Sequence, residues 1–281
     1  MRTYSYINEV KAFLHSQKEL KRTIGFVPTM GALHQGHISL IEKAKRENDI
    51  CVCSIFVNPI QFNNPEDFKR YPMQVDKDKE ILVQYGCDVL FNPGTHEMYP
   101  EPVTEKFDFG SLEMVMEGKF RPGHFNGVAV VVKKLFQIIE PDKAYFGEKD
   151  YQQLLIISAL VEKENFPIQI IPCPIIRDFD GLALSSRNAL LSGQERKLAP
   201  EIARVLKECS LLAGQLSIPE LKSYVQTKIG EIAEFKLDYF EIADGNTLQS
   251  LNSWSESKNI RAFIAVYIDK VRLIDNIRIF L

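Results

Sequence analysis

A chain of 281 residues with 45% hydrophobic content can bury a substantial core in one large domain or two smaller ones. Its net charge of -3 argues against a nucleic-acid or membrane surface as the main partner. The opening MRTYSYINEVKAFLH has no long apolar core or small-residue cleavage site, and no run approaches a membrane span, so a soluble, cytoplasmic chain is expected.

From Thr23 to Ala44 the text reads strand, loop, helix. Ile24 to Val27 is a buried parallel strand, Pro28 and Gly31 break it, and Ile38, Leu40, Ile41 and Ala44 follow Gly36 at helical spacing. His34 and His37 lie where the loop becomes the helix, with Gly36 permitting close backbone approach. A helix start offers N–H groups and a positive dipole end, which suits a phosphate chain. Taken alone, such a pair is as often a surface or satisfied core feature as a functional one, and its spacing also suits a metal.

Ile50 to Val57 is a near-continuous apolar run, as in a strand covered on both faces. A helix over Asp76 to Tyr85 leads to a strand over Cys87 to Phe91, and Phe125 to Ile139 is a helix ended by Pro141. Lys143 to Gly147 is a strand, Tyr151 to Glu164 a helix and Ile168 to Ile176 a strand. Such alternation predicts an α/β fold, a doubly wound parallel sheet with ligands at the carboxyl ends of its strands. Near Arg177 the rhythm changes. Helical patterns over Gln194 to Ala213 and Ile218 to Phe235 precede three strand-like runs, KLDYFEIAD, RAFIAVYI and VRLIDNI. Two domains follow, a Rossmann-like 1–177 and a smaller α+β domain over 178–281.

The five cysteines, Cys51, Cys53, Cys87, Cys173 and Cys209, have no CxxC spacing and sit mostly in apolar runs. They read as buried small hydrophobes in a reducing compartment.

Four clusters fall at the ends of strands. FVNPIQF offers the amides of Asn58 and Gln61, or simply an Asn-Pro turn. GEKDYQQ presents Gly147, Lys149, Asp150 and Gln153, where Lys149 suits phosphate and Asp150 a ribose hydroxyl or metal ion, although Glu-Lys-Asp alone is usually a solvated loop. LSSRN, Leu184 to Asn188, is a hydroxyl and guanidinium clamp for polyphosphate or a helix cap. RPGHFNGV sets His124 in a glycine-rich loop, as a gate or a turn.

VPTMGALHQGHISLI with its HxGH, then FVNPIQF, GEKDYQQ, DGLALSSRN and RLIDN, resemble the pantothenate synthetases (pantoate-beta-alanine ligases) in order and spacing over nearly the whole chain. HxGH alone indicates only the wider adenylylating nucleotidyltransferase superfamily. The resemblance implies a two-step ligation. ATP and (R)-pantoate give an enzyme-bound pantoyl adenylate and pyrophosphate, and beta-alanine then displaces AMP to yield pantothenate, the last step of pantothenate biosynthesis. It also implies Mg2+ on the phosphates, a homodimer, and a C-terminal domain acting as a lid.

Residue roles come from the same resemblance. His37 would be the proton donor, with His34, Lys149 and Arg187 as the other catalytic groups. Met30, Gly31, Ala32, Leu33, His34, Gln35, Gly36 and His37 would line the ATP site, together with Gly147, Glu148, Lys149 and Asp150, the Ile176 backbone, and Leu184, Ser185, Ser186 and Arg187. Gln61 and Gln153 would hold pantoate, Gln61 also lying near beta-alanine, with Asn58 beside them. The metal ligands stay unassigned.

The chain departs from the family after RYP (Arg70 to Pro72), where Met73 replaces an arginine and the acidic pair appears as Asp76 and Asp78 around Lys77. Asp269 and Val271 stand where Gly and Thr are expected. Three other functions share parts of this pattern. An adenylyltransferase with a phosphorylated acceptor would need a basic pocket where Gln61 and Gln153 stand. A class I aminoacyl-tRNA synthetase would need an anticodon-binding extension. A non-catalytic nucleotide sensor would have no use for both histidines and both glutamines.

Overall fold

The computed structural model describes residues 1–63, 68–69 and 71–280, so Arg70 of the RYP stretch lies outside the described residues. They form two compact units. One comprises Met1–Phe109, Arg121–Glu148 and Gln153–Pro174; the other takes Gly110–Phe120, Lys149–Gln152 and Ile175 onward. The sequence places a single cut between 177 and 178 and carries no pattern that marks the two short inserts.

In the first unit six strands form one parallel sheet: β1 (Arg2–Tyr4), β2 (Ile24–Thr29), β3 (Ile50–Ile55), β4 (Val89–Phe91), β5 (Lys143–Gly147) and β6 (Gln169–Cys173). Their order is β1-β4-β3-β2-β5-β6. From β2 the chain winds outward through β3 and β4, then returns to lay β5 and β6 on the other side. The winding reverses between β2 and β5, and at such a switch point the loops leaving neighbouring strands part to make a crevice.

The strand does not stop at Pro28, as its sequence suggests. Strand β2 stays in register with β3 through Pro28↔Ser54 and Thr29↔Ile55, whereas its pairing with β5 ends at Phe26↔Ala144. Ile24 takes its bonds on the β5 side, its N–H donating to Asp142 and its carbonyl accepting from Asp142 N–H. By alternation Pro28 faces that side as well, where the strands have already parted. Its missing N–H costs no ladder bond.

Every residue of β3 is buried, which explains its unbroken apolar text. Helix α1 (Ile7–Glu19) and strand β1, neither marked by a strong pattern, precede the motif-bearing unit. Helix α2 (Gln35–Glu47) buries Ile38, Leu40, Ile41 and Ala44, the four residues its periodicity picks out. Helices α3 (Val75–Gln84), α4 (His124–Ile139) and α5 (Tyr151–Lys163) complete the alternation.

In the second unit strands β7 (Phe235–Asp244), β8 (Ile260–Ile268) and β9 (Val271–Ile279) form an antiparallel sheet. Helices α6 (Glu201–Leu212) and α7 (Ile218–Gly230) supply Val205, Leu206, Leu221 and Val225 to a core shared with Ile242, Ile264 and Leu273. Each such side chain is worth about 1.5–3 kcal/mol on full burial. The predicted helix over Gln194 to Ala213 is two pieces, Gly193–Leu198 and α6, because Pro200 cannot continue a helix but fits the start of one. Capping boxes at Ser192/Glu195 and Ser217/Glu220 begin Gly193–Leu198 and α7.

Two further contacts organise this unit. Glu117 is buried and takes Arg272 through bonds of 2.8 and 2.7 Å, with the Tyr239 hydroxyl at 2.9 Å. That network groups Gly110–Phe120 with the sheet. Asp269 adopts φ 49° in the β8–β9 turn. Aspartate tolerates this left-handed region better than most residues, so it can close the hairpin without glycine.

Candidate active site

The loop leaving β2 makes two left-handed residues in succession, Gly31 at φ 81° and Ala32 at φ 51°. Its next backbone groups are held from α3. Asp78, only 1% exposed, accepts from Ala32 N–H at 2.9 Å through Oδ2 and from Leu33 N–H at 2.8 Å through Oδ1. His34 then turns extended and caps α2, its Nδ1 accepting from Gly36 N–H at 3.1 Å. An accepting Nδ1 leaves the ring's proton on Nε2, which is therefore a donor.

The His34 and His37 rings lie 4.1 Å apart between centroids at 38°. The first turn of α2 carries no acidic residue, so its positive end keeps its affinity for an anion. A cavity of about 200 Å³ adjoins this loop, lined by Met30, Gly31, Phe56, Asp78 and Asn92 among others.

After β3 the chain forms a short turn, Pro59–Gln61. Asn58 is fully buried; its Nδ2 donates to the Gly127 carbonyl at 3.0 Å and to Gln61 Oε1 at 3.3 Å, and its Oδ1 accepts from the Tyr99 hydroxyl at 3.0 Å. Burial pushes the Tyr99 phenol well above its ordinary pKa, so it remains a donor. The Gln61 amide nitrogen in turn lies 2.8 Å from Met30 Sδ, joining this turn to the loop after β2. Asn58 thus orients Gln61.

Gly127 makes the arrangement possible, because a Cβ there would lie 2.4 Å from the Ile60 carbonyl oxygen and 2.5 Å from Gln61 Cα. His124, left by its sequence as gate or turn, is buried at the start of α4 with Nδ1 2.8 Å from the Gln61 carbonyl oxygen.

Gly147 and Glu148 follow β5, across the switch point from β2, and Gln153 is half-buried on α5. Its neighbour Gln152 is buried and fully engaged in the second unit, donating to the Leu112 and Val115 carbonyls and accepting from Glu117 N–H.

Lys149, Asp150, Ile176 and Leu184 to Arg187 belong to the second unit. Asn276 Nδ2 donates to the Lys149 carbonyl at 3.0 Å, and Asp275 takes Arg177 in a two-pronged bond of 2.6 and 2.9 Å. The RLIDN stretch therefore holds the GEKDYQQ segment directly and, through Arg177, whose Nη1 also donates to the Gly181 carbonyl at 3.0 Å, the start of DGLALSSRN. The Ile176 carbonyl accepts from Leu184 N–H at 3.0 Å, and Ser185 caps a short helical turn by accepting from Arg187 N–H at 3.2 Å. The cap reading of that serine is realised.

The sequence reading missed the part played by Asp78, Tyr99, Asp275 and Asn276. For Asp78 a signal existed: it lies four residues before Leu82, on the face that α3 buries. Neither Asp76, whose side chain is 99% exposed, nor Asp78 joins a metal cluster, and among the described residues no group of three or more His, Cys, Asp or Glu is placed to hold a metal ion.

A doubly wound parallel sheet with an anion-accepting helix start at its switch point defines an α/β protein of the nucleotide-binding class. The chain belongs to the pantoate-beta-alanine ligase family, whose model matches residues 2–278. It is 48% identical over 278 residues to a pantothenate synthetase of Porphyromonas gingivalis, covering 99% of each chain. The crystal structure of pantothenate synthetase from Thermus thermophilus superposes with a TM-score of 0.94 at 43% identity, covering 100% of both chains. That of the pantoate-beta-alanine ligase from Francisella tularensis, complexed with beta-gamma ATP and beta-alanine, gives 0.84 at 41% identity over 99% and 97% of the two chains.

Proposed function

We propose that this chain condenses (R)-pantoate with beta-alanine at the expense of ATP, forming pantothenate, AMP and pyrophosphate. A pantoate carboxylate oxygen attacks the α-phosphorus, and the bond to the bridging oxygen breaks to release pyrophosphate. The beta-alanine amine then attacks the acyl carbon of the pantoyl adenylate, loses a proton and expels AMP.

The observation that carries this reading is the junction of the His34–His37 loop with the Gln61 turn through Met30. It sets an anion-binding helix start beside a neutral amide. A carboxylate nucleophile needs little help from a base, so catalysis lies in positioning and in stabilising charge that grows on the phosphates. His37 donates a proton there, and His34, whose Nε2 carries the hydrogen, offers a second donor to a phosphate oxygen. Gln61 and Gln153 hold the pantoate hydroxyl and carboxylate without a salt bridge that would blunt the nucleophile, and Asn58 acts through Gln61.

The backbone of Met30 to His37 and of Gly147 to Asp150, with Ile176 and Leu184 to Arg187, contacts ATP in this reading. Lys149, Ser185, Ser186 and Arg187 meet its phosphates in the same reading, and exclusion of water protects the acyl adenylate from hydrolysis. Magnesium, where it takes part, needs no protein cage, since it keeps waters and takes phosphate oxygens with one or two carboxylates. Asp150, half-exposed beside Lys149, is the carboxylate that would serve.

Five free, buried cysteines support a cytoplasmic setting; burial pushes the Cys173 thiol up to about 11 and Cys209 up to about 12, so both stay protonated. Among the described residues no helix is long and apolar enough to cross a membrane. A homodimer is proposed on the family resemblance, and light scattering on the purified chain tests it.

The function is tested by pyrophosphate release from ATP and magnesium with (R)-pantoate, with and without beta-alanine, and by product mass. Pantothenate and AMP are expected, with little sustained release when beta-alanine is omitted. Release only with a phosphorylated acceptor would move the reaction to adenylyl transfer.

A further inference from the structure

We infer that Asp78 is a positioning residue for the first half-reaction: its carboxylate grips the N–H groups of Ala32 and Leu33 and so sets where His34 and His37 meet the nucleotide. The inference rests on the assignment of those histidines to the ATP site.

In this turn the N–H groups of Ala32 and Leu33 converge on one point, a concavity of the kind that binds an anion. Here the concavity already contains one, the Asp78 carboxylate, with one oxygen on each N–H at 2.9 and 2.8 Å. The shape of the loop depends on it. Ala32 pays for φ 51° with backbone strain that a non-glycine residue sustains only when its surroundings hold it there. Gly31 is needed for the carboxylate's approach, since a Cβ at that position would lie 2.9 Å from Asp78 Oδ2 and 3.1 Å from Ile55 Cγ2.

The effect reaches the chemistry over a short, rigid path. Leu33 is buried and directly precedes His34, whose Nδ1 is fixed on Gly36 N–H, and the His34 ring packs on His37 at 4.1 Å. A shift of the grip therefore moves both imidazoles with the start of α2. The two oxygens are each committed to a backbone N–H, so Asp78 serves as an anchor for the loop, and the acidic pair expected near this point is divided between an exposed Asp76 and this anchor.

The test uses the full-length chain with Asp78→Asn, which keeps the shape but turns an amide donor toward one of the two N–H groups. Single-turnover pyrophosphate formation from ATP and pantoate is measured with thermal melting, and the five imidazoles are followed by NMR without nucleotide. Pyrophosphate formation should slow roughly 100-fold at saturating ATP, the scale of a displaced catalytic geometry, with the beta-alanine KM unchanged. The His34 and His37 resonances should move while those of His15, His96 and His124 stay in place.

A wild-type rate in folded Asp78→Asn would overturn the proposal, as would a slow rate with unmoved His34 and His37 resonances. If Asp78→Asn does not fold, Gly31→Ala disturbs the same contact from the loop side and must move the same two resonances; unmoved resonances there also sink it. His37→Ala is run in parallel. A folded His37→Ala with wild-type turnover would remove the parent assignment of the histidines and the proposal with it, whereas an inactive His37→Ala beside an active Asp78→Asn removes the proposal alone.

Discussion

His124 holds the backbone of Gln61: its Nδ1 lies 2.8 Å from the Gln61 carbonyl oxygen, and Arg121 Nη1 lies 3.1 Å from its Nε2. A guanidinium can only donate, so Nε2 accepts, and the ring's hydrogen sits on Nδ1 and donates to Gln61. Replacing His124 by Ala should raise the pantoate KM roughly three- to tenfold, the loss of one hydrogen bond of about 1 kcal/mol. The ATP KM should change little. Steady-state kinetics with each substrate varied in turn checks both.

Gly127→Ala should be worse for both stability and pantoate binding. The added Cβ meets the backbone of Ile60 and Gln61, which cannot swing aside as a flexible side chain would. Overpacking of this kind costs about 1–3 kcal/mol, read as a lower melting temperature, and it moves Gln61 away from Met30.

His37→Ala should cut turnover by roughly 10² to 10⁴, the range for a lost proton donor or charge stabiliser. Melting should be nearly unchanged, since the side chain is only half-buried at the start of α2. Unaltered turnover in the folded variant would end its catalytic assignment.

Gln153→Ala should raise the pantoate KM more than the ATP KM, because the neighbouring Gln152 already satisfies the structural bonds of this stretch. A rise confined to ATP would mean the two pockets have been exchanged.

Acid stability should depend on Asp244. Burial by itself would push its carboxyl up, but hydrogen bonds from the Ser257 hydroxyl and from the Thr247 and Asn246 N–H groups outweigh it and hold the group below its ordinary 3.8. A carboxyl depressed in the folded state contributes stability that is present above 3.8 and is lost as pH falls through the folded value. The melting-temperature gap between the wild type and Asp244→Asn should therefore close as pH is lowered from about 5 to about 2.

Much of the first unit was legible because its signals are local. Ile38, Leu40, Ile41 and Ala44 announce a helix by their spacing, and the unbroken run of β3 announces a strand covered on both faces. Pro28 and Pro200 show how local rules mislead. The first sits in a strand because its missing donor faces the side where β5 has departed, and the second divides a helix that hydrophobic spacing alone would continue.

By itself, the sequence determined the α/β alternation, the change to a smaller α+β unit, the HxGH helix start and the glutamines after β3 and β5. Each is a matter of periodicity or motif within a few residues. Only the tertiary structure decided that Asp78 grips the loop 45 residues before it, that His124 anchors Gln61, and that Glu117 joins Arg272 across the chain. Those contacts bring distant residues together to satisfy buried N–H, carbonyl and charged groups, a requirement that exists only once the chain has excluded water around them.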